Sequence, residues 1–214
     1  MAERTGFLYP FLEEEVTDPS VLLADLVRSA AAKWTESTAL RRSVCASHDE
    51  ELRRAASAVS RRIGAGGRLW AFGNGGSAAD AAAFAERCRR ATPQPLPARS
   101  VATDAAVLTA LANDIGTEAI FTRQLEACAR AGDVAVAFST SGGSANVLAA
   151  IRHCGQAGIL VLGLTGDGGA RLGDGVDHRF VVRAASVHRI QEAQTALSIE
   201  LVAAIARAVA EDRS

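Results

Sequence analysis

Two stretches of the chain gather glycines and hydroxyls where a helix should begin. The first is Gly73-Asn74-Gly75-Gly76-Ser77-Ala78, and the second is Ser139-Thr140-Ser141-Gly142-Gly143-Ser144. Each follows a short apolar run and precedes a helical pattern. Free backbone N–H groups meet the positive end of a helix dipole at such a junction, which suits a phosphate. The glycines let backbone approach a ligand closely, and Ser139, Thr140, Ser141 and Ser144 add hydroxyl donors for the acceptor oxygens of a phosphate ester. Ordinary Gly/Ser turns would look similar. Both stretches, however, fall at the ends of strands in an α/β pattern, where open sheets bind ligands.

Other chemistries fit less well. Gly73-x-Gly75-x-x-Ala78 matches the loose dinucleotide fingerprint, but no acidic residue follows about 20 residues on at the end of a second strand. The second hydroxyl loop would also go unexplained. No GxxxxGK[ST] loop occurs. His48, His153 and His178 have no neighbour at metal-ligand spacing. Cys45, Cys88, Cys128 and Cys154 form no CxxC pair and read as reduced thiols. Arg87, Arg89 and Arg90 either make a solvated face or turn Arg87 inward to a ligand anion.

The elements that must hold the loops follow from periodicity. Residues 1–17 read as an N-terminal arm, and Asp18-Pro19-Ser20 as a helix start with Pro in the first turn. Val21, Leu22, Leu26, Val27 and Ala30 recur at helical spacing. A second helix is expected from about Ser37 to Ile63, ended by Gly64, Gly66 and Gly67. The expected strands are 69–72, 98–102, 133–138, 159–164 and 178–182. Helices are expected over 78–90, 104–111, 116–129, 146–157 and 187–210, with a Gly/Asp-rich loop over 165–175. Buried apolar strands alternating with helices predict a parallel sheet covered on both faces. The expected organisation is an arm and short helix over 1–36 and one α/β domain over 37–214.

Composition narrows the function classes. Hydrophobic residues make up 49% and charged residues 22%, ordinary for a globular chain. A formal net charge of −1 gives no global field toward nucleic acid or an anionic membrane. No uninterrupted apolar run reaches about 18 residues, and no basic-then-apolar leader opens the chain. The expectation is a cytoplasmic protein with a small-molecule ligand, no nucleic acid and no membrane.

At these loops the chain resembles the sugar isomerase (SIS) domain family, and within it the phosphoheptose (sedoheptulose 7-phosphate) isomerases. The resemblance rests on Gly73–Asp80, Asn113-Asp114-Ile115-Gly116, Gly132-Asp133-Val134, Ser139-Thr140-Ser141-Gly142, Leu164-Thr165-Gly166 and Arg189-Ile190-Gln191-Glu192, in family order over about 37–211. It implies a three-layer αβα sandwich with a flavodoxin-like parallel sheet, N-terminal helices being added. It implies a homo-oligomer, dimer or tetramer, with sites at subunit interfaces. It implies that Ser77, Ser139, Thr140, Ser141 and Ser144 hold the phosphate, and that Asn74, Gly75, Asp104, Asn113 and Gln191 line the site.

The family's catalytic positions depart from the pattern. Where the family has a His and a Glu on the helix after the first loop, this chain has Ala83 and Arg87. Where its terminal helix has a Gln and, eight residues on, a His, this chain has Gln191 and Ile199. The family's zinc site is therefore not expected here, and no metal or other cofactor is expected in its place. Aldose–ketose isomerisation needs a positioned base and acid. Arg87 stays protonated, and Ala83 and Ile199 cannot ionise. His188 with Glu86 or Glu192 would form a displaced acid/base pair, or these are helix-surface residues. Two functions stay open. One is a phosphosugar-binding protein without standard zinc chemistry, with room for a protein partner. The other is an isomerase of a sugar phosphate with a rearranged site.

Overall fold

The computed structural model describes residues 19–166, 172 and 175–212. The 1–17 arm and most of the 165–175 loop expected above lie outside these residues. Contacts divide the chain into two compact units between Ala39 and Leu40. α1 spans Pro19–Ser47, and its residues before Leu40 belong to the first unit. There Val21, Leu23, Leu26, Val27 and Trp34 lie exposed, so the apolar stripe read from the sequence is uncovered in that unit.

One helix boundary differs from the expectation. Instead of a helix from Ser37 to Ile63, α1 continues to Ser47 and α2 runs Asp49–Gly64. No Gly or Pro interrupts residues 20–47, so nothing local stops α1 earlier. The break falls at His48, whose ring is used on both sides. Its Nδ1 lies 2.9 Å from the Val44 carbonyl, and its Nε2 accepts from the Val181 amide at 3.1 Å. Asp49, Glu50 and Glu51 then fill the first turn of α2, where negative charge suits the helix dipole.

The second unit is built on five strands: β1 Leu69–Gly73, β2 Ala98–Ser100, β3 Val134–Ser139, β4 Leu160–Thr165 and β5 His178–Val181. All four pairings are parallel, in the order β2-β1-β3-β4-β5. This is the flavodoxin-like order, and it reverses between β1 and β3. The helices that follow the strands are α3 Gly76–Arg90, α4 Ala105–Asp114, α5 Thr122–Cys128, α6 Ala145–Gln156 and, after β5, α7 Val187–Glu211. The helix expected over 116–129 is split: a 3₁₀ turn covers Thr117–Ala119 and α5 starts only at Thr122. Phe121 between them is buried, its ring 5.5 Å from that of Phe72. Anchoring that ring in the core outweighs continuity of the helix.

Alternate residues of each strand face opposite sides. Leu69, Ala71, Val136, Phe138, Leu164 and Phe180 join one core cluster with α2, α3 and α7. Trp70, Phe72, Ala135, Ala137 and Val161 join another with α5 and α6. The result is the three-layer αβα sandwich. By length and composition α7 could cross a membrane, yet half of its apolar stretch is buried in the fold. A core helix meets the same criteria. At the lower ends of the strands, Asp133 is fully buried. Its Oδ1 accepts from the Arg68 amide at 2.9 Å, and its Oδ2 accepts from Trp70 Nε1 at 2.8 Å and the Arg130 amide at 3.1 Å. The carboxylate thus ties the starts of β1 and β3 together.

Candidate functional site

Because β1 and β3 are neighbours, their C-terminal loops sit side by side at the point where strand order reverses. The first loop, Asn74-Gly75, leads into α3. Gly75 has φ +55, a left-handed conformation that glycine adopts without strain. Gly76 follows with Gln191 of α7 packed on it: a Cβ there would fall 2.3–2.7 Å from the Gln191 amide. The second loop, Thr140 to Ser144, leads into α6. Ser139 Oγ accepts from the Gly142 amide at 3.1 Å and lies 3.5 Å from Ser144 Oγ, while Ser141 Oγ accepts from the Gly143 amide at 3.3 Å.

A side-chain pair locks the two loops together. Asn74 Nδ2 donates to Asn146 Oδ1 at 2.8 Å, and Asn146 Nδ2 donates back to Asn74 Oδ1 at 2.9 Å. The sequence reading missed Asn146. Its signal is faint: an amide in the first turn of a helix, 72 residues from its partner. Gly166 is held too, its amide donating to the Thr140 carbonyl at 3.1 Å. Ser77 and Ser139 are buried, Thr140 and Ser144 are half-buried, and Ser141 is exposed. The amides of Gly75, Gly76 and Ser141 make no hydrogen bond among the described residues. The arrangement therefore brings unpaired N–H groups and hydroxyls from two helix N-termini to one place, which is chemistry for an anion.

The remaining candidates are more dispersed. Asp104 caps α4 by accepting from the Val107 amide at 3.1 Å. Asn113 donates to Asp114 at 2.8 Å at the exposed end of α4. His188 is exposed in the first turn of α7. Glu192 pairs with Arg189 at 2.7 Å. Glu86 hydrogen-bonds Arg89 and meets Arg90 at 2.6 Å. The Arg89 hydrogen bond, with Arg90 adding to it, holds the Glu86 carboxyl below its usual range, which weakens it as a base. No hydrogen bond links His188 to Glu86 or Glu192 among the described residues.

Arg87 and Ile199 line one groove of about 400 Å³ between α3 and α7, with Glu86, Arg90 and Val202 nearby. Arg87 Nη1 is buried there with no hydrogen-bond partner among the described residues. A zinc ion does not fit this donor set. Ala83 and Ile199 offer no ligand atom, Arg87 brings a fixed positive charge, and zinc takes N, S and carboxylate donors. Among the described residues no three His, Cys, Asp or Glu side chains come close enough to hold a metal. Deeper between the same helices, Asp80 Oδ1 accepts from Thr195 at 2.7 Å, while Asp80 Oδ2 and both amide atoms of the fully buried Gln194 have no partner among the described residues. Cys88 and Cys154 are buried, and burial pushes both thiols up to about 12. They are packing residues rather than nucleophiles.

Comparison with known proteins agrees with this layout. The SIS domain family matches residues 34–166. The phosphoheptose isomerase of Campylobacter concisus is 46% identical over 130 residues, 59% of this chain and 69% of that protein. The phosphoheptose isomerase of Rhodospirillum rubrum is 43% identical over 146 residues, 67% of this chain and 78% of its own. The solved structure of a phosphoheptose isomerase from Neisseria gonorrhoeae superposes with a TM-score of 0.77 at 36% identity, covering 84% of this chain and 98% of that one. With its strand order, its paired hydroxyl loops and these relatives, the chain belongs to the SIS domain family.

Proposed function

We propose that the protein binds a phosphorylated sugar at the β1/β3 switch point and lacks the zinc-dependent isomerase chemistry of its relatives. One observation carries this reading. The amides of Gly75, Gly76 and Ser141 find no partner among the described residues, on two loops that the Asn74–Asn146 pair holds together. In the proposed complex the phosphate takes N–H groups from both helix N-termini and hydroxyls from Ser77, Ser139, Thr140, Ser141 and Ser144. Gln191, packed on Gly76, reaches the sugar. Ala83, Arg87 and Ile199 supply no base, so proton transfer between adjacent carbons has no group at those positions to perform it. The uncovered apolar side chains of α1 support assembly with further copies of the chain. The expected location is the cytoplasm.

A second reading has support from the identity of up to 47% to proteins named phosphoheptose isomerase. In it, His188 and Glu192 move the proton in a rearranged, metal-free site. The experiment is calorimetric titration with sedoheptulose 7-phosphate and a panel of hexose and pentose phosphates, paired with a coupled isomerase assay on the same panel. Binding without turnover, abolished by Ser141→Leu, is the expected result. Turnover lost in His188→Ala establishes the second reading instead. Absence of binding to every phosphate ester, with Ser141→Leu indistinguishable from the parent, overturns both.

A further inference from the structure

A separate cavity of about 630 Å³ lies beside the edge strand β2, open on one side and lined by α3, α4 and α5. None of the residues of the two hydroxyl loops lines it, and Asp104 is the one residue of its lining that the resemblance assigns to the sugar-phosphate site. Its apolar wall includes Trp70, Val101, Val107 and Leu111, and three guanidinium groups come in from Arg89, Arg99 and Arg123. A neighbouring hollow of about 380 Å³ shares Trp70, Arg89 and Arg99 and adds Arg68. We propose that this cleft is a second ligand site, taking a small organic anion whose phosphate or carboxylate meets the arginines while an apolar body packs on the wall.

Volume, charge and packing support this independently of the sugar-phosphate reading. The cavity falls within the roughly 300–1,000 Å³ of small-molecule sites, which are mostly apolar with a few placed polar groups. Arg89 and Arg123 are tethered, Arg89 to Glu86 and the Ala98 carbonyl (2.8 Å), Arg123 to Glu126 (2.6 Å). Tethering fixes the forks in place while leaving donors to spare. Arg99 makes no hydrogen bond or ion pair with any described residue. The one carboxylate in the lining, Asp104, already accepts from the Val107 amide. Glu86 and Glu126 balance two of the three guanidinium charges from outside the lining, so Arg99 carries the charge that a guest anion meets, in a field that low-dielectric walls concentrate.

The α4 side of the cleft is loosely held. No residue of α4 is buried, although Val107 and Leu111 line the cavity and Ile115 is exposed. A wall that buries so little can adjust around a guest at small cost. An apolar contact from a second protein chain would leave Arg99 desolvated and unpaired, a costly arrangement. An anionic guest satisfies both halves of the lining.

Trp70 supplies the readout, since Trp34 is the other indole in the chain. In a Trp34→Phe protein, phenyl phosphate, benzoate and inorganic phosphate are titrated separately against Trp70 fluorescence. The phenyl phosphate and benzoate arms distinguish a phosphate headgroup from a carboxylate. Inorganic phosphate tests the need for the apolar body. A saturable change with Kd below about 1 mM is expected for at least one organic anion. It should weaken about tenfold or more in Arg99→Glu, which removes one charge-assisted contact and adds a repulsive one. Val107→Phe, which fills the cavity without a new charge, should weaken it as well. Ser141→Leu should leave it unchanged, so failure of the sugar-phosphate reading does not touch this one. The proposal is overturned if no organic anion gives a saturable change up to about 10 mM. It is equally overturned if Arg99→Glu and Val107→Phe both bind like the parent, or if Ser141→Leu removes the signal.

Discussion

Replacing Asp133 with Asn separates the scaffold from the site. The two carboxylate oxygens accept three N–H groups, from Arg68, Trp70 and Arg130, in a fully buried position. Asparagine keeps one acceptor oxygen. In its better orientation that oxygen retains the Trp70 and Arg130 donors, and the new NH₂ group faces the Arg68 amide. One buried donor is then orphaned at about 1–3 kcal/mol, and two charge-assisted bonds become neutral ones at about half the strength. Relief from burying a charge offsets part of this. The expected loss is about 2–4 kcal/mol, and with a urea slope of about 2 kcal/mol/M the midpoint falls by about 1–2 M. Urea unfolding followed by circular dichroism and by Trp70 fluorescence, in a Trp34→Phe background, measures it. The hydroxyl loop begins at the far end of β3, six residues and about 20 Å away. Affinity of the folded variant for a sugar phosphate should therefore stay within about twofold. A midpoint unchanged to within about 0.3 M would refute the role assigned to the three bonds. A large affinity loss in a folded variant would refute the separation of scaffold from site.

Asn146→Ala removes both amide bonds to Asn74 and frees the loops from each other. Sugar-phosphate affinity should fall about tenfold, the equivalent of about 1.4 kcal/mol, by calorimetry, with little change in melting temperature because the pair is exposed. Gln194→Met keeps the volume and removes two unpartnered buried polar atoms, so it should raise stability by about 1–2 kcal/mol in the same urea assay. Burial alone would raise the Glu51 carboxyl, but hydrogen bonds from His178 (2.7 Å) and Arg54 outweigh it and hold it low. A carboxyl held low binds fewer protons folded than unfolded. Its contribution is therefore full above about pH 4.3, the ordinary glutamate value, and is lost as pH falls through the lower folded value. Glu51→Gln should flatten the decline of melting temperature in that acid window.

The strands were legible because a parallel sheet buried on both faces reads as short apolar runs, and Leu69–Phe72 and Val134–Phe138 do so. The strand ends and their glycines then located the loops, since helix entry and small residues are local signals. What the sequence hid was tertiary. The end of α1 is set by His48 reaching Val181 in β5, a contact across 133 residues, and the split before α5 by Phe121 seated beside Phe72. The Asn74–Asn146 pair joins two unremarkable amides that no periodicity connects. The resemblance to the SIS domain family anticipated the sheet order, which depends on which strands meet and not on any one strand's residues. The arginines of the β2 cleft come from three separate elements, so neither charge runs nor motifs mark them.

The burial of Cys88 and Cys154 has a practical side. Their thiols are shielded from maleimides and gentle oxidants alike. Cys45 is half-buried, and its thiol is raised by burial and by nearby Glu200. Cys128 stands exposed at the cleft rim. A single dye placed there by mild alkylation needs no engineered handle, and it would report directly from the edge of the sheet.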